Sequence, residues 1–227
     1  PPQYAACCGA FELLSMITTG QPGHMVIGGG FMREDTAAYE VGAGSLYTSR
    51  DFGATWVYVD VGQEISPVVR LASDPNNPMT IYAGAGRQDV EGGIWKSADG
   101  GATWSPTRFS GPAVEGIAVD PRDSQTVYAV GAGRFFVSRD AGQTWALVSE
   151  QGGNSLLVVP TTPPTLYSHR WGGGVIQSTD GGQHWEQAAE ALARTSVLSM
   201  ADSVTEAGVK VYVGVPGGVY LLVGAPP

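Results

Sequence analysis

The chain has 227 residues and a mass of 23.6 kDa, with 43% hydrophobic and 15% charged residues. This composition supports a packed core and excludes a highly charged disordered chain. The net charge of −9 excludes a large phosphate-neutralising surface, so we do not expect a nucleic-acid partner. The apolar runs are shorter than the roughly 20 residues of a membrane-spanning helix, so no membrane span is expected either.

The N-terminal segment Gln3–Gly9 is about one strand long and carries adjacent cysteines, Cys7 and Cys8. These are the two cysteines of the chain, so a disulfide framework and a metal site made of cysteines alone are excluded. Three interpretations stay open for the pair: two reduced buried thiols, a strained vicinal disulfide, or links to another chain. We favour buried thiols, because free cysteine behaves as a small hydrophobe.

Asp-Pro and Pro-Pro turns between β-branched runs predict short strands and no long helices. The predicted strands, in chain order, are Phe11–Thr18, His24–Gly28, Ser45–Ser49, Val68–Ser73, Thr80–Gly84, Gly93–Ser97, Gly116–Val119, Thr126–Val130, Arg134–Ser138, Ser155–Val159, Thr165–Ser168, Gly174–Ser178, Ser196–Met200, Lys210–Val215 and Val219–Val223. They form five units with three predicted strands each, and the first unit contains a long loop, Gly29–Gly44.

An eight-residue pattern, S-x-D-x-G-x-T-W, follows the third strand in four of the units, with His replacing Thr in the last copy. The four octets are Ser49–Trp56, Ser97–Trp104, Ser138–Trp145 and Ser178–Trp185. Their aspartates recur every 40 to 48 residues. A repeat of about forty residues built from strands predicts the blades of a propeller.

Each octet residue has a structural task. The Asp carboxylate accepts hydrogen bonds from backbone N–H groups of its own turn, and the Gly adopts the positive φ of a tight hairpin. The Trp offers a large ring to bury against a neighbouring unit. We therefore interpret these residues as structural and expect neither a catalytic nor a metal site there: Asp51, Trp56, Asp99, Trp104, Asp140, Trp145, Asp180 and Trp185.

The octets resemble the Asp-box, or BNR repeat, of sialidases, xyloglucanase-type glycoside hydrolases, sortilin-type receptors and the photosystem II assembly factor. The resemblance covers roughly residues 11–223. It implies an all-β fold, a small β-propeller of about five four-stranded blades with Asp-box hairpins, in a single domain over residues 1–227. It does not select a function, because these relatives perform unrelated tasks on one scaffold.

The fifth unit has three predicted strands and no octet. In one interpretation, Gln3–Gly9 pairs with Val219–Val223 as the missing fourth strand and closes a five-bladed ring. In the other, the chain is a piece of a larger propeller. We favour closure, because unpaired blade edges are a liability and the N-terminal segment has the length of one strand.

The resemblance further implies that ligands meet the face opposite the octets, on the loops joining strands two to three and four to one. Each octet-bearing unit places an arginine in such a loop. The candidate ligand-binding residues are Arg33, Tyr39, Arg87, Arg134, Arg170 and Trp171. Arginine forks bind carboxylates bidentately, which predicts an anion site. Local pairing of each arginine with a neighbouring acid is the alternative, and the two aromatic residues fit sugar stacking and blade-rim packing equally.

No catalytic residue is assigned. The Arg-Ile-Pro segment that the sialidase resemblance would imply is absent. Glycoside hydrolysis needs two carboxylates at a set separation, and the candidates Asp35, Asp89, Glu91 and Glu115 have no separation fixed by the sequence. The histidines at 24, 169 and 184 lie on strand or hairpin positions, and the residue at 184 replaces the octet Thr.

The sequence therefore predicts a non-catalytic binding or scaffold propeller, an accessory or assembly subunit of a larger extracytoplasmic complex. A carbohydrate-binding or glycoside-hydrolase-type propeller is the alternative. A protein or a glycan is the expected partner, and no cofactor or metal is expected.

Overall fold

The computed structural model describes residues 11–33, 40–61, 68–86, 91–170, 172–205 and 208–223. In these residues the chain forms five antiparallel sheets, each built from strands that are consecutive in sequence. We call these sheets blades 1 to 5. The all-β propeller predicted from the repeat is confirmed.

Blades 1 to 4 contain four strands each, and blade 5 contains three described strands. Blade 1 consists of β1 Phe11–Thr18, β2 Met25–Arg33, β3 Glu40–Ser49 and β4 Val57–Val59. Blade 2 consists of β5 Val68–Asp74, β6 Asn77–Ala85, β7 Gly93–Ser97 and β8 Ser105–Pro106. Blade 3 consists of β9 Gly116–Asp120, β10 Asp123–Gly131, β11 Gly133–Ser138 and β12 Ala146–Gly153. Blade 4 consists of β13 Leu157–Val159, β14 Thr165–His169, β15 Val175–Ser178 and β16 Glu186–Gln187. A short 3-10 helix, Glu190–Leu192, precedes blade 5, which consists of β17 Ser199–Thr205, β18 Gly208–Val215 and β19 Gly218–Val223.

The predicted long loop of blade 1 is largely strand. Register continues along β2 and β3 as far as the pair Arg33 and Glu40, so Arg33 lies on a strand rather than in a loop. The glycines of this segment, including the opposed pair Gly30 and Gly44, lower its strand propensity and explain the wrong prediction. Their pairing across the hairpin supplies the backbone hydrogen bonds that hold them in the sheet.

The first strands of neighbouring blades lie side by side, with contacts from β1 to β5, β5 to β9, β9 to β13 and β13 to β17. Between each pair of blades lies one apolar cluster. The centres of the four clusters are Val26 with Leu71, Tyr82 with Ile117, Tyr128 with Leu166, and Val175 with Val211. Each blade is therefore stabilised mainly by burying its faces against its neighbours.

The four octets form nearly identical hairpin corners. In the second octet, Ser97 Oγ donates to Asp99 Oδ1 over 2.8 Å and accepts from the N–H of Gly101 over 2.8 Å. Asp99 also accepts from the N–H and hydroxyl of Thr103, over 2.9 and 2.6 Å. In the last octet His184 Nδ1 takes the hydroxyl's place, 2.6 Å from Asp180 Oδ2. The structural task predicted for the octets is thus visible in their contacts.

Hydrogen bonds to the octet carboxylates favour their charged form. Bonds from Thr55 and Thr144 lower the pKa of Asp51 and of Asp140 to about 2. Both carboxylates are therefore ionised at neutral pH and act as fixed acceptors.

The octet Gly and Trp carry the contact between blades. The Gly has φ between +85° and +89° in all four copies, as a tight turn requires. Trp104 and Trp185 are buried, while Trp56 and Trp145 are half-buried, which confirms the burial prediction for two of the four rings. Trp185 stacks edge-to-face on Phe135 of the preceding blade, with 5.3 Å between ring centroids.

The predicted pairing of residues 3–9 with β19 lies outside the described residues, as do Cys7 and Cys8. Both remain predictions. Among the described residues, no helix has the length and hydropathy needed to cross a membrane.

Candidate functional site at the blade ends opposite the octets

The strand directions place the octets and the candidate ligand loops at opposite ends of the blades. Each octet follows a third strand, so it lies at the same end as the turn between strands one and two. The connections from strand two to three and from strand four to the next strand one lie at the other end. We call this end the loop face, and its described part comprises Arg70, Glu115 and residues 131–134, 153–155, 169–170, 172–174 and 194–195.

Glu115 joins blades 3 and 4 at the loop face. It precedes β9, and its Oε2 accepts from the N–H of Ala132 over 3.1 Å and from Asn154 Nδ2 over 3.0 Å. Asn154 is buried, and its N–H donates to the carbonyl of His169 over 2.8 Å. One carboxylate oxygen thus holds a turn of its own blade and the connection into the next blade.

Arg70 and His169 share the electrostatic environment of Glu115. Burial lowers the pKa of Arg70, and the negative charge of Glu115 opposes this shift. Burial lowers the pKa of His169 as well, the Arg70 charge adds to the shift, and Glu115 opposes it. Arg70 on blade 2, Glu115 before blade 3 and His169 on blade 4 therefore interact electrostatically, and the lowered pKa favours the neutral form of His169 at pH 7.

Two of the four predicted arginines have described side chains. Arg134 Nε donates to Glu150 Oε2 over 3.1 Å, and both side chains are largely exposed, so this pair contributes about 0–1 kcal/mol. Arg170 is exposed, and no ion pair joins it to a carboxylate of the described residues. Arg134 thus has the local acidic partner of the alternative interpretation, whereas Arg170 fits the anion-site interpretation.

The remaining candidates have no described side chains. Only the backbone of Arg33 is described, at the end of β2. The residues Tyr39, Arg87 and Trp171, together with the carboxylates Asp35 and Asp89, lie outside the described residues. A common orientation of all four arginines therefore remains a prediction.

Three residues of the loop face escaped the sequence analysis: Arg70, Asn154 and Arg194. Arg70 falls inside a predicted strand, and its signal is a single charge in the otherwise apolar run Val68–Ala72. Asn154 follows two glycines, a sequence that is typical of a turn. Arg194 lies in the connection from blade 4 to blade 5, in which the next residue, Thr195, accepts from the N–H of Gly174 over 3.1 Å.

The fold and this face define a class of protein. It is a β-propeller in which the octets repeat at one end of the blades, while charged side chains that differ from blade to blade lie at the other end. No family model matches the chain. A xyloglucanase of Hypocrea jecorina (strain QM6a) is 29% identical over 158 residues, which cover 66% of this chain and 17% of that protein. The chain therefore spans less than a fifth of the length of this curated relative.

Solved propellers of two kinds share the fold. The Niastella koreensis GH74 enzyme aligns with a TM-score of 0.59 and 18% identity, over 94% of this chain and 36% of that one. YCF48 bound to D1 peptide aligns with a TM-score of 0.63 and 14% identity, over 94% of this chain and 66% of that one. The neighbours thus include an enzyme and a peptide-bound propeller.

Proposed function

We propose that the chain is a non-catalytic binding propeller of the Asp-box type, which holds a carboxylate-bearing segment of a protein partner at its loop face. In this proposal it serves as an accessory or assembly subunit of a larger extracytoplasmic complex. The octets provide the scaffold, and the blade-specific side chains of the loop face provide recognition.

The carrying observation is the state of the basic side chains at the loop face. Arg170 is exposed without an ion pair to any described carboxylate, and Arg70 is partly desolvated on the first strand of blade 2. The exposed guanidinium of Arg170 can bind a carboxylate through two parallel hydrogen bonds. The predicted arginines at 33 and 87 would extend the same surface around the axis.

The hydrogen bonds of Glu115 favour binding over hydrolysis. A hydrolytic pair needs one carboxylic acid to transfer a proton and one carboxylate to activate water or attack the sugar. One carboxylate oxygen of Glu115 instead accepts hydrogen bonds from two protein donors, Ala132 N–H and Asn154 Nδ2. These bonds are typical of a carboxylate that holds two segments of the fold together. YCF48 bound to D1 peptide supports the same choice, as a propeller of similar fold that binds a peptide.

Partner capture with matched arginine variants tests the proposal. The tagged chain is recovered from the cells that make it, and the co-purifying protein is quantified. We expect the double variant Arg134→Ala with Arg170→Ala to capture at least tenfold less of the partner than the wild type. Its midpoint of urea unfolding should stay unchanged. Arg139→Ala, which removes an exposed arginine from the third octet, is the control and should retain the partner. Equal capture by the double variant and the wild type would refute this role of the loop face.

A glycoside-hydrolase-type propeller is the second candidate, favoured by the 29% identity to a xyloglucanase. Xyloglucan incubated with the purified chain distinguishes the two candidates through the release of reducing ends. The binding proposal predicts none above the buffer control. Release that Glu115→Gln abolishes would instead establish the hydrolase.

A further inference from the structure

The blades pack through two distinct faces. Each blade turns one face, here called its leading face, to the preceding blade, and the opposite face, its trailing face, to the following blade. In blade 2, Leu71, Ala83 and Trp95 form a leading row that packs on Val26 and Leu46 of blade 1. Leading faces therefore meet trailing faces throughout the described fold.

One tyrosine position shows how deeply a trailing face is buried when another blade follows it. The second strands of blades 2, 3, 4 and 5 carry a tyrosine at the same repeat position: Tyr82, Tyr128, Tyr167 and Tyr212. Register confirms the equivalence. The first three tyrosines are each paired on their outer side with the residue directly before an octet serine, and Tyr212 is paired with Leu221, its counterpart in blade 5. The first three are 0, 5 and 7% exposed, whereas Tyr212 is 36% exposed.

Among the described residues, no element covers the trailing face of blade 5 as the next blade covers each of the other trailing faces. Along β18 the residues Val211, Val213 and Val215 pack on blade 4, so the alternating Tyr212 points to the opposite side. Its cross-strand partner Leu221 and the nearby Val219 are 49 and 69% exposed. Three large apolar side chains of one sheet face are thus open to water.

The leading face of blade 1 shows the matching exposure. Met16, Ile27, Tyr47 and Tyr58 form one row across its four strands. This row is the counterpart of the buried row of blade 2, since Tyr47 and Trp95 both lie two residues before an octet serine. Met16 is 56% exposed, whereas its counterpart on the first strand of blade 2, Leu71, is 8% exposed.

The outer edge of blade 5 is open as well. In blades 1 to 4 the third strand pairs with a fourth, whereas β19 has no outer neighbour among the described residues. Unpaired edges and apolar patches of this kind mark surfaces that another element covers.

We propose that further blades of the same repeat cover both faces, so that these five blades form part of a larger ring. The trailing face of blade 5 would take the leading face of one such blade, and the leading face of blade 1 the trailing face of another. At the interface of blades 1 and 2, faces of this chemistry pack on each other and leave Val26, Leu46, Leu71 and Ala83 at most 8% exposed. YCF48, which extends by about a third of its chain beyond the aligned part, leaves room for such blades in one ring.

Photo-crosslinking in the cells that make the protein identifies the occupant. Leu221 and Tyr58 are each replaced by p-benzoylphenylalanine, and the adducts are mapped by mass spectrometry. The control is the same replacement of Leu147, a 48% exposed residue on the outer strand of blade 3. We expect at least tenfold more adduct at Leu221 and Tyr58 than at Leu147, on peptides that adjoin an octet-type sequence absent from residues 1–227.

A lysine-specific crosslinker provides a second readout without any substitution. The chain has two lysines: Lys210 shares the trailing face of blade 5 with Tyr212, while Lys96 is bound to the carbonyl of Ala141. The proposal predicts that Lys210 links to such a further blade and that Lys96 does not.

Other adducts would overturn the proposal, each in favour of a named occupant. Adducts on residues 3–9 would establish closure of a five-bladed ring. Adducts on residues 11–223 of another copy, with a dimer in light scattering, would establish self-association. Adducts on a protein without the repeat would establish a different partner, and no adduct at either position would show that both faces stay exposed.

Discussion

The octet end and the loop face of the blades are built in opposite ways. At the octet end the same serine, aspartate and glycine contacts recur in four blades, with distances that agree within about 0.1 Å for Ser to Asp. At the loop face each blade differs: Arg70 on blade 2, Glu115 on blade 3, His169 and Arg170 on blade 4. Repetition thus marks the scaffold, and variation between blades marks the surface where specificity can arise.

The largest expected effect on the free energy of unfolding comes from Gly182, where the fourth octet packs against Phe135 of blade 3. A Cβ on Gly182 would lie 2.0 Å from Phe135 Cε1, at φ +87°, whereas a Cβ on Gly181 has open space at φ +75°. We expect Gly182→Ala to destabilise the fold by about 3 kcal/mol, from left-handed strain plus overpacking. The control Gly181→Ala adds left-handed strain, which the lower entropy of its unfolded chain partly offsets, and should cost well under about 1 kcal/mol. Urea unfolding measures both, and equal midpoints would contradict the interlocking role.

The octet carboxylate provides the next test. Asp99→Ala leaves the Thr103 N–H and hydroxyl without their acceptor, and we expect a loss of about 1–3 kcal/mol. Asp99→Asn keeps one acceptor oxygen and should lose less. Partner capture by folded Asp99→Ala should equal that of the wild type. A variant that folds normally but loses its partner would show that the octet end, too, takes part in binding.

A pH titration compares the two ends through their histidines. Burial lowers the pKa of His24 near the octet end and of His169 at the loop face below the ordinary 6.5. The unfolded chain then binds protons more readily, so stability is full above pH 6.5 and declines as the pH falls toward the folded pKa. We expect urea midpoints to fall from pH 7.5 to 5.5.

Substitutions test whether His24 and His169 cause this pH dependence of stability. The double variant His24→Gln with His169→Gln should flatten the profile between pH 7.5 and 5.5. A slope that survives the double variant would place the titrating groups elsewhere.

The smallest expected change in stability comes from relieving backbone strain in the third octet. Ala141 adopts φ +54° where the second and fourth octets have glycine. Its carbonyl accepts from Tyr82 and Lys96, and glycine retains that carbonyl. Ala141→Gly should raise stability by a few tenths of a kcal/mol, because relief of left-handed strain exceeds the entropy cost of glycine. Differential scanning calorimetry should show a slightly higher Tm, and a lower one would contradict the strain argument.

The scaffold was predictable because its signals are local. The octet spacing and the turn residues predicted strands such as Gly93–Ser97 and Phe11–Thr18 with the bounds that the structure shows. The extension of β2 and β3 through glycine-rich sequence was not predictable, since pairing between two weak strands decides it. Arg70 and Asn154 were also missed, because only the packing of three blades brings them to Glu115.

Hydrogen exchange with and without the co-purifying partner tests the central claim most directly. The account predicts that the partner protects the amides of the loop face, including residues 131–134, 169–170 and 172–174, and leaves the octets at 97–104 and 138–145 unchanged. Protection of the octets, with an unaffected loop face, would contradict it.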